Sequence, residues 1–153
     1  QLFDTIISCR CIINQTSTLN QIKLFKKLHK MLKPNGTLII AEISKQGMGR
    51  LNMTRKKYGL LPLNKRWHNL HIDEEKILPK LKNGFKIVNV KRGGMFYFLS
   101  RVFYPSIIFP KEPEPESKIN ELALKSEILT NEFFSENSFD YFGGHLLMHL
   151  VKK

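Results

Sequence analysis

Leu32-Lys33-Pro34-Asn35-Gly36-Thr37-Leu38-Ile39-Ile40-Ala41-Glu42 is the stretch on which the reading of this chain turns. A basic amphipathic helix stops at Lys33, a Pro-Asn-Gly turn follows, and an apolar strand begins at once. Pro34 cannot continue a helix, and Gly36 is expected to supply the positive φ that re-aims the chain. The strand, residues 37–42, is apolar on both faces, the pattern of a buried strand in a parallel sheet. Upstream, Phe3-Asp4-Thr5-Ile6-Ile7-Ser8-Cys9 reads as a second such strand. Strand, helix, turn, strand makes one βαβ unit, so the chain is expected to be α/β with these two strands parallel and adjacent.

The helix between them, residues 21–32, sets Ile22, Phe25, Leu28 and Leu32 on one face and Lys23, Lys26, Lys27, Lys30 and Lys33 on the other. That is a 3.6-residue period, and a solvated lysine face accounts for it more simply than a phosphate-binding stripe. Residues 44–73 carry Gly47, Gly49, Gly59, Pro62 and many bases and read as a long irregular loop. Asp73-Glu74-Glu75 starts a helix running to about Leu81, with acids in its first turn. Residues 85–90 form the next strand. The apolar and aromatic run 95–109 is expected to cover the sheet or a site. Residues 110–116 are an extended acidic linker, and a helix over 118–134 follows with Ile119, Leu122, Ala123 and Leu129 as its apolar positions. After Gly143-Gly144, residues 145–151 form a last strand, expected to run antiparallel to the first two. The stretch 110–136 is thus a linker and helix insertion before that strand.

The 153 residues are enough for one domain with a proper core, and 42% are hydrophobic, which excludes a disordered chain. No apolar run approaches the ~20 residues of a membrane span. Cys9 and Cys11 sit two apart in an extended stretch and are poorly placed to pair, so a reduced, cytoplasmic protein is expected. The net charge of +12 is uneven. Residues 1–111 hold a net +16 (21 bases less 5 acids), and residues 112–153 a net −4 (4 bases less 8 acids). Most of the bases are Lys, and alanine occurs only at Ala41 and Ala123, as a codon bias toward A and T would produce. Background charge is therefore preferred to a basic surface for an anionic substrate, and a nucleic-acid-binding module or RNA methyltransferase using that surface stays as the alternative function.

The order β-α-β-(loop)-α-β-(insertion)-β resembles the second half of class I, Rossmann-like, S-adenosylmethionine-dependent methyltransferases. There the last two strands form an antiparallel pair at one edge of the sheet, and "FDxI … LKPGGxLIxxE" is a recurring phrase. Arg10-Cys11-Ile12-Ile13-Asn14, Leu51-Asn52-Met53-Thr54-Arg55, Gly59-Leu60-Leu61-Pro62 and Trp67-His68-Asn69-Leu70 are similar to "RxLIN", "LNxxR", "GLxPI" and "WHNxY" elements of a bacterial subgroup. Phe96-Tyr97-Phe98-Leu99-Ser100-Arg101-Val102 and Ile119-Asn120-Glu121-Leu122-Ala123 resemble its "YYFLSRV" and "INxLA". The resemblance implies S-adenosylmethionine as cofactor and methyl transfer to a small polar metabolite or sugar. It also implies that the cofactor's Gly-rich loop and acidic strand end lie upstream. Gly47-Met48-Gly49 does not replace that loop, since the third position of a G-x-G-x-x-G falls on Asn52. Together with a start at Gln1, almost inside a strand, this leads us to expect the carboxyl half of a methyltransferase domain, inactive by itself.

In a parallel α/β sheet the ligand crevice lies at the carboxyl ends of the strands. Cys9 and Arg10 are there, as candidate cofactor contacts, with Asn14 after them and Glu42 ending the next strand. Arg10 can hold a carboxylate or phosphate as a fork or make a structural ion pair. Asn14 can bond substrate or cap its loop, and Glu42 can orient substrate or pair with a loop arginine. His68 is the candidate general base, because histidine ordinarily titrates between pH 5 and 8, and Trp67 can wall a substrate pocket. Asn69, Arg55 and Arg101 complete the candidate substrate contacts. Tyr97 and Ser100 are read as packing or contact residues. His68, His71 and Asp73 lack cysteine support and the H-E-x-x-H spacing, so no metal is expected.

Overall fold

The computed structural model describes residues 1–133 and 140–153. The chain forms two compact units, residues 1–45, 65–91 and 145–153 in the first and 46–64 and 92–144 in the second.

The first unit is the sheet and its covering helices. β1 (Phe3–Cys9) leads through a short 3-10 turn (Ile12–Asn14) into α1 (Thr18–Met31), which returns to β2 (Leu32–Ile43). Ser17 caps α1, its hydroxyl accepting from the Asn20 N–H at 3.1 Å. α3 (Glu74–Leu81) precedes β3 (Phe85–Arg92), and β4 (His145–Lys152) ends the chain. The sheet order is β1-β2-β4-β3. β1 and β2 are parallel, Thr5 to Cys9 facing Thr37 to Ala41, and β4 is antiparallel to β2, from Thr37 opposite Val151 to Ile43 opposite His145. The expected parallel pair and antiparallel last strand are therefore both present. That last strand is inserted between β2 and β3 rather than added outside them.

Two local expectations need correction. The stretch 33–36 is an outward bulge within β2, because Leu32 already pairs with Phe3 before pairing resumes at Thr37. The positive φ belongs to Asn35, at 61°, and not to Gly36. Gly36 is required for a different reason: a Cβ there would stand 2.9 Å from the Lys33 carbonyl oxygen and 3.2 Å from that of Asp4. Only glycine lets the two backbones approach so closely.

Leu38, Ile40 and Glu42 turn one face of β2 into the interior, while Thr37, Ile39 and Ala41 on the other face are only half-buried. Leu146, Met148 and Leu150 of β4, paired with Glu42, Ile40 and Leu38, continue the buried face, and Phe25 of α1, Ile77 and Leu81 of α3 and Phe85 of β3 complete the core. Each such side chain contributes about 1.5–3 kcal/mol by leaving water. The lysine face of α1 is exposed, as its periodicity predicted.

α2 (Lys45–Lys57), in the second unit from Gln46 on, overturns the expectation of an irregular loop over 44–73. Its buried face is Gly47, Leu51, Thr54 and Arg55, with a single large apolar residue, so hydrophobic periodicity gave no sign of it. Gly59, at φ 69°, ends the helix region, and the Leu60 N–H bonds back to the Arg55 carbonyl at 3.0 Å. The aromatic run 95–109 folds as α4 (Gly94–Phe98), a π-helical turn (Leu99–Phe103) and α5 (Tyr104–Ile108), with Tyr97 and Val102 packed on Leu51. α6 (Lys118–Phe133) buries Ala123 but leaves Leu122 and Leu129 exposed, against the expected apolar face. Residues 134–136 of the expected insertion lie outside the described residues.

Candidate functional site

At the carboxyl edge of the first unit, the Arg10 N–H bonds the Ala41 carbonyl at 2.9 Å, which carries the β1–β2 pairing one residue past Cys9. Arg10 then takes φ 52°, and the chain turns sharply into the 3-10 segment. The Asn14 side-chain amide donates to the Arg10 carbonyl at 3.0 Å, and the Cys11 thiol to that of Cys9 at 3.3 Å. Cys9, Arg10 and Asn14 are all exposed along this edge.

Glu42 is different. It is 2% exposed, and its Oε1 accepts the Ile12 N–H at 2.7 Å while Oε2 has no partner. Burial raises its pKa above the ordinary carboxylate value, and the amides of Ile12, Ile13 and Cys11, then the Arg10 charge, pull the other way. The sequence left two roles open for Glu42, substrate contact or arginine pair; the geometry gives a carboxylate that holds the 3-10 turn.

That turn in turn holds the loop carrying Trp67 and His68. The Gln21 amide nitrogen donates to the Leu70 carbonyl at 2.7 Å and, at 3.4 Å, to that of Ile12, while the Leu70 N–H bonds Ile13 at 2.6 Å. Asn14, Trp67, His68 and Asn69 consequently line one open hollow of about 370 Å³. Trp67 is 93% exposed and meets the His68 ring edge-on, centroids 5.2 Å apart. Asn69 is buried. Farther along, Ile72 bridges Ser44 in parallel, Lys45 pairs with Asp73 at 2.8 Å, and the Ser44 hydroxyl bonds Glu74, which fixes the start of α3 to the end of β2.

One residue here was missed as a candidate base. His71 is half-buried, and burial, then the charges of Lys65 and Arg10, lowers its pKa below the ordinary histidine value. It is therefore an uncharged imidazole at neutral pH, a proton acceptor beside two cations. Its place between apolar Leu70 and Ile72 was the available sign.

Arg55 and Arg101 belong to the second unit. Arg55 is buried; its Nε donates to the Leu61 carbonyl at 2.8 Å and its Nη1 to the carbonyl of Arg101, whose own side chain is exposed. Ser100 is buried, its hydroxyl donating to the Phe96 carbonyl at 2.6 Å, so both it and Tyr97 pack. Among the described residues no three His, Cys, Asp or Glu side chains gather as a metal site, and no helix is long and apolar enough to cross a membrane.

No family model matches the sequence, and no curated protein does. Solved structures resemble the chain at low identity. They include N-methyltransferase NodS from Bradyrhizobium japonicum WM9 in complex with S-adenosyl-L-homocysteine, at 12% identity and TM-score 0.44 over 99% of this chain and 47% of that one. The [4+2]-cyclase SpnF resembles it at 14% and 0.49, over 99% and 51%. PKMT2 from Rickettsia typhi does so at 12% and 0.46, over 99% and 36%. The chain spans about half, or less, of the length of these structures.

Proposed function

We propose that this chain is the substrate-side half of an S-adenosylmethionine-dependent methyltransferase whose acceptor is a small polar metabolite or sugar. The observation that supports it best is topological: β1, α1 and β2 form a parallel unit, β4 returns antiparallel beside β2, and a polar hollow opens at the carboxyl edge of those strands. The cofactor would supply an electrophilic methyl group, and the chain's own residues would place and deprotonate the acceptor. Cys9 and Arg10, exposed at the end of β1, fit one wall of a cofactor pocket. On this reading the glycine-rich backbone cradle for the cofactor lies in residues outside this chain.

In the hollow, His68 accepts the proton of the acceptor hydroxyl, Trp67 provides a flat apolar wall, and Asn14 hydrogen-bonds the polar substrate. Asn69 is buried at the base of the same loop. Glu42 acts through the Ile12 amide by holding the 3-10 turn. In the second unit, Arg55 fixes the backbone of Arg101 by donating to its carbonyl.

The test is labelled methyl transfer from S-adenosylmethionine by the full-length protein to a panel of sugars and polar hydroxylated metabolites. Turnover of one of them, falling about 100-fold or more in His68→Ala with cofactor affinity unchanged, is the expected result. Absence of transfer to any small acceptor would sink the reading. Unchanged turnover in the variant would remove His68 from the chemistry.

A further inference from the structure

The hollow at the carboxyl edge of the first unit combines three features that narrow its occupant. One side of it, Asn14 to Thr16, follows β1. The other, Lys65 and Trp67 to Leu70, comes from the loop that the Gln21 amide and the Ile13 carbonyl pin in place.

The first feature is an unused amide. Asn69 lines the hollow although it is only 5% exposed, and among the described residues its side chain has no hydrogen-bond partner. A buried amide without a partner is costly, and a ligand rich in hydroxyl groups restores its bonds. The second is a bare ring. Tryptophan is highly buried on average, yet Trp67 is 93% exposed, standing edge-on to His68. A flat ring open to solvent, with amides and the Thr16 hydroxyl around it, suits a pyranose. The C–H face of the sugar covers the indole, and its hydroxyls meet the polar groups.

The third feature is positive charge without a counterion. No acidic side chain lines the hollow, and neither Lys65 nor Arg10 is paired with a carboxylate among the described residues. Both charges reach His71, the residue after Leu70, where they add to burial in disfavouring the imidazolium. Arg10 also acts on Glu42, but that carboxyl is buried with one oxygen held by the Ile12 amide. The excess is local to this edge, whatever the lysine content of the chain as a whole.

We infer that the hollow takes an anionic sugar, a single pyranose bearing a carboxylate or a phosphate, with its ring on Trp67, its hydroxyls on the Asn69 amide and its charged group at Lys65, in the field of Arg10. The inference rests on the methyltransferase reading only in making this sugar the methyl acceptor.

Glucuronate and glucose 6-phosphate are the probes and glucose the uncharged control, each titrated into the full-length protein by calorimetry. Saturable binding of at least one charged sugar is expected, about tenfold or more tighter than glucose, and the tighter of the two identifies the charged group. Lys65→Gln should abolish that preference. Trp67→Ala should weaken the charged sugar by about tenfold, and inorganic phosphate, which has no ring to stack, should bind at least that much more weakly than the sugar. Lys23→Gln with Lys27→Gln, on α1 away from the hollow, should keep wild-type affinity. The His71 imidazole, assigned in proton spectra by its loss in His71→Gln, should titrate at higher pH with the charged sugar bound than with glucose, because the ligand's charge offsets Lys65 and Arg10. No saturable binding of either charged sugar, equal binding of glucose or of inorganic phosphate, a preference that survives Lys65→Gln, or an unmoved His71 would each overturn the inference. None of these measurements needs methyl transfer. A charged sugar that binds here without being methylated therefore counts against the methyltransferase reading alone, and a neutral sugar methylated while neither charged one binds counts against this inference alone.

Discussion

Glu42, buried, and His71, half-buried, are ionisable groups at one edge of a sheet, and burial acts on them with opposite signs. For Glu42 the folded pKa lies above the ordinary 4.5, so the fold favours the protonated acid. Its favourable contribution is complete below the unfolded value and is lost as pH rises through the raised folded value. Glu42→Gln keeps an acceptor for the Ile12 amide and carries no charge, so urea unfolding across pH 4 to 8 should show the variant gaining on wild type as pH rises. Parallel curves would mean that the carboxylate is charge-compensated in the fold. For His71 the folded pKa lies below 6.5, so the unfolded chain binds more protons in between, and stability falls as pH drops from about 6.5. His71→Gln should flatten that slope, and an unchanged slope would place its origin elsewhere. The two residues also differ in legibility. Glu42 was visible as a carboxylate ending a strand, but which amide it would meet depends on how the chain turns after Cys9. His71 was weighed only as a metal ligand and missed as a base, because burial and the charges of Lys65 and Arg10 that act on it, one of them far away in sequence, do not show in its neighbours.

At the scale of elements, Gly36 is the sharpest point. The atoms a Cβ would meet are backbone carbonyl oxygens of Lys33 and Asp4, which cannot swing aside as a flexible side chain would. Gly36→Ala should therefore force β1 and β2 apart locally and cost about 1–3 kcal/mol, measured as a shift in the urea midpoint. Asn35→Gly, at the position that takes φ 61°, should be neutral or mildly stabilising in the same assay. A neutral Gly36→Ala would contradict the close approach. Elements with a clean period were legible from sequence: β1, α1, α3, β3 and β4 stand within a few residues of expectation, while β2 already begins at Leu32. α2 was not, because polar bonds hold its surroundings. Asn52 brackets Leu63, accepting its N–H at 2.8 Å and donating to its carbonyl at 3.1 Å, and Arg55 ties two carbonyls together. Such contacts leave no hydrophobic pattern. α6 failed in the opposite sense, with a helical pattern whose leucines face outward.

For the whole molecule, the sequence shows the order of segments but not how the chain divides: residues 46–64 leave the first unit and 92–144 leave it again, so the second unit is larger than the insertion expected at 110–136. β1 is an edge strand of the four-stranded sheet, and its flank is apolar, with Ile7 71% exposed and Leu2 and Phe3 exposed beside it. Among the described residues no strand pairs with its outer edge, the arrangement that recruits another strand. On the proposed reading that edge pairs with the cofactor-binding half, and the contacts to the ribose and methionine portions come from there. The 153-residue chain by itself should then self-associate, seen as concentration-dependent sedimentation, and Ile7→Lys should reduce the association. It should also show no micromolar binding of S-adenosylmethionine by calorimetry, because Cys9 and Arg10 provide one wall only. The full-length protein should bind the cofactor in the same assay. If the isolated chain bound it at micromolar concentration, the cofactor contacts would lie within these residues. If neither bound it, the methyltransferase reading itself would fall.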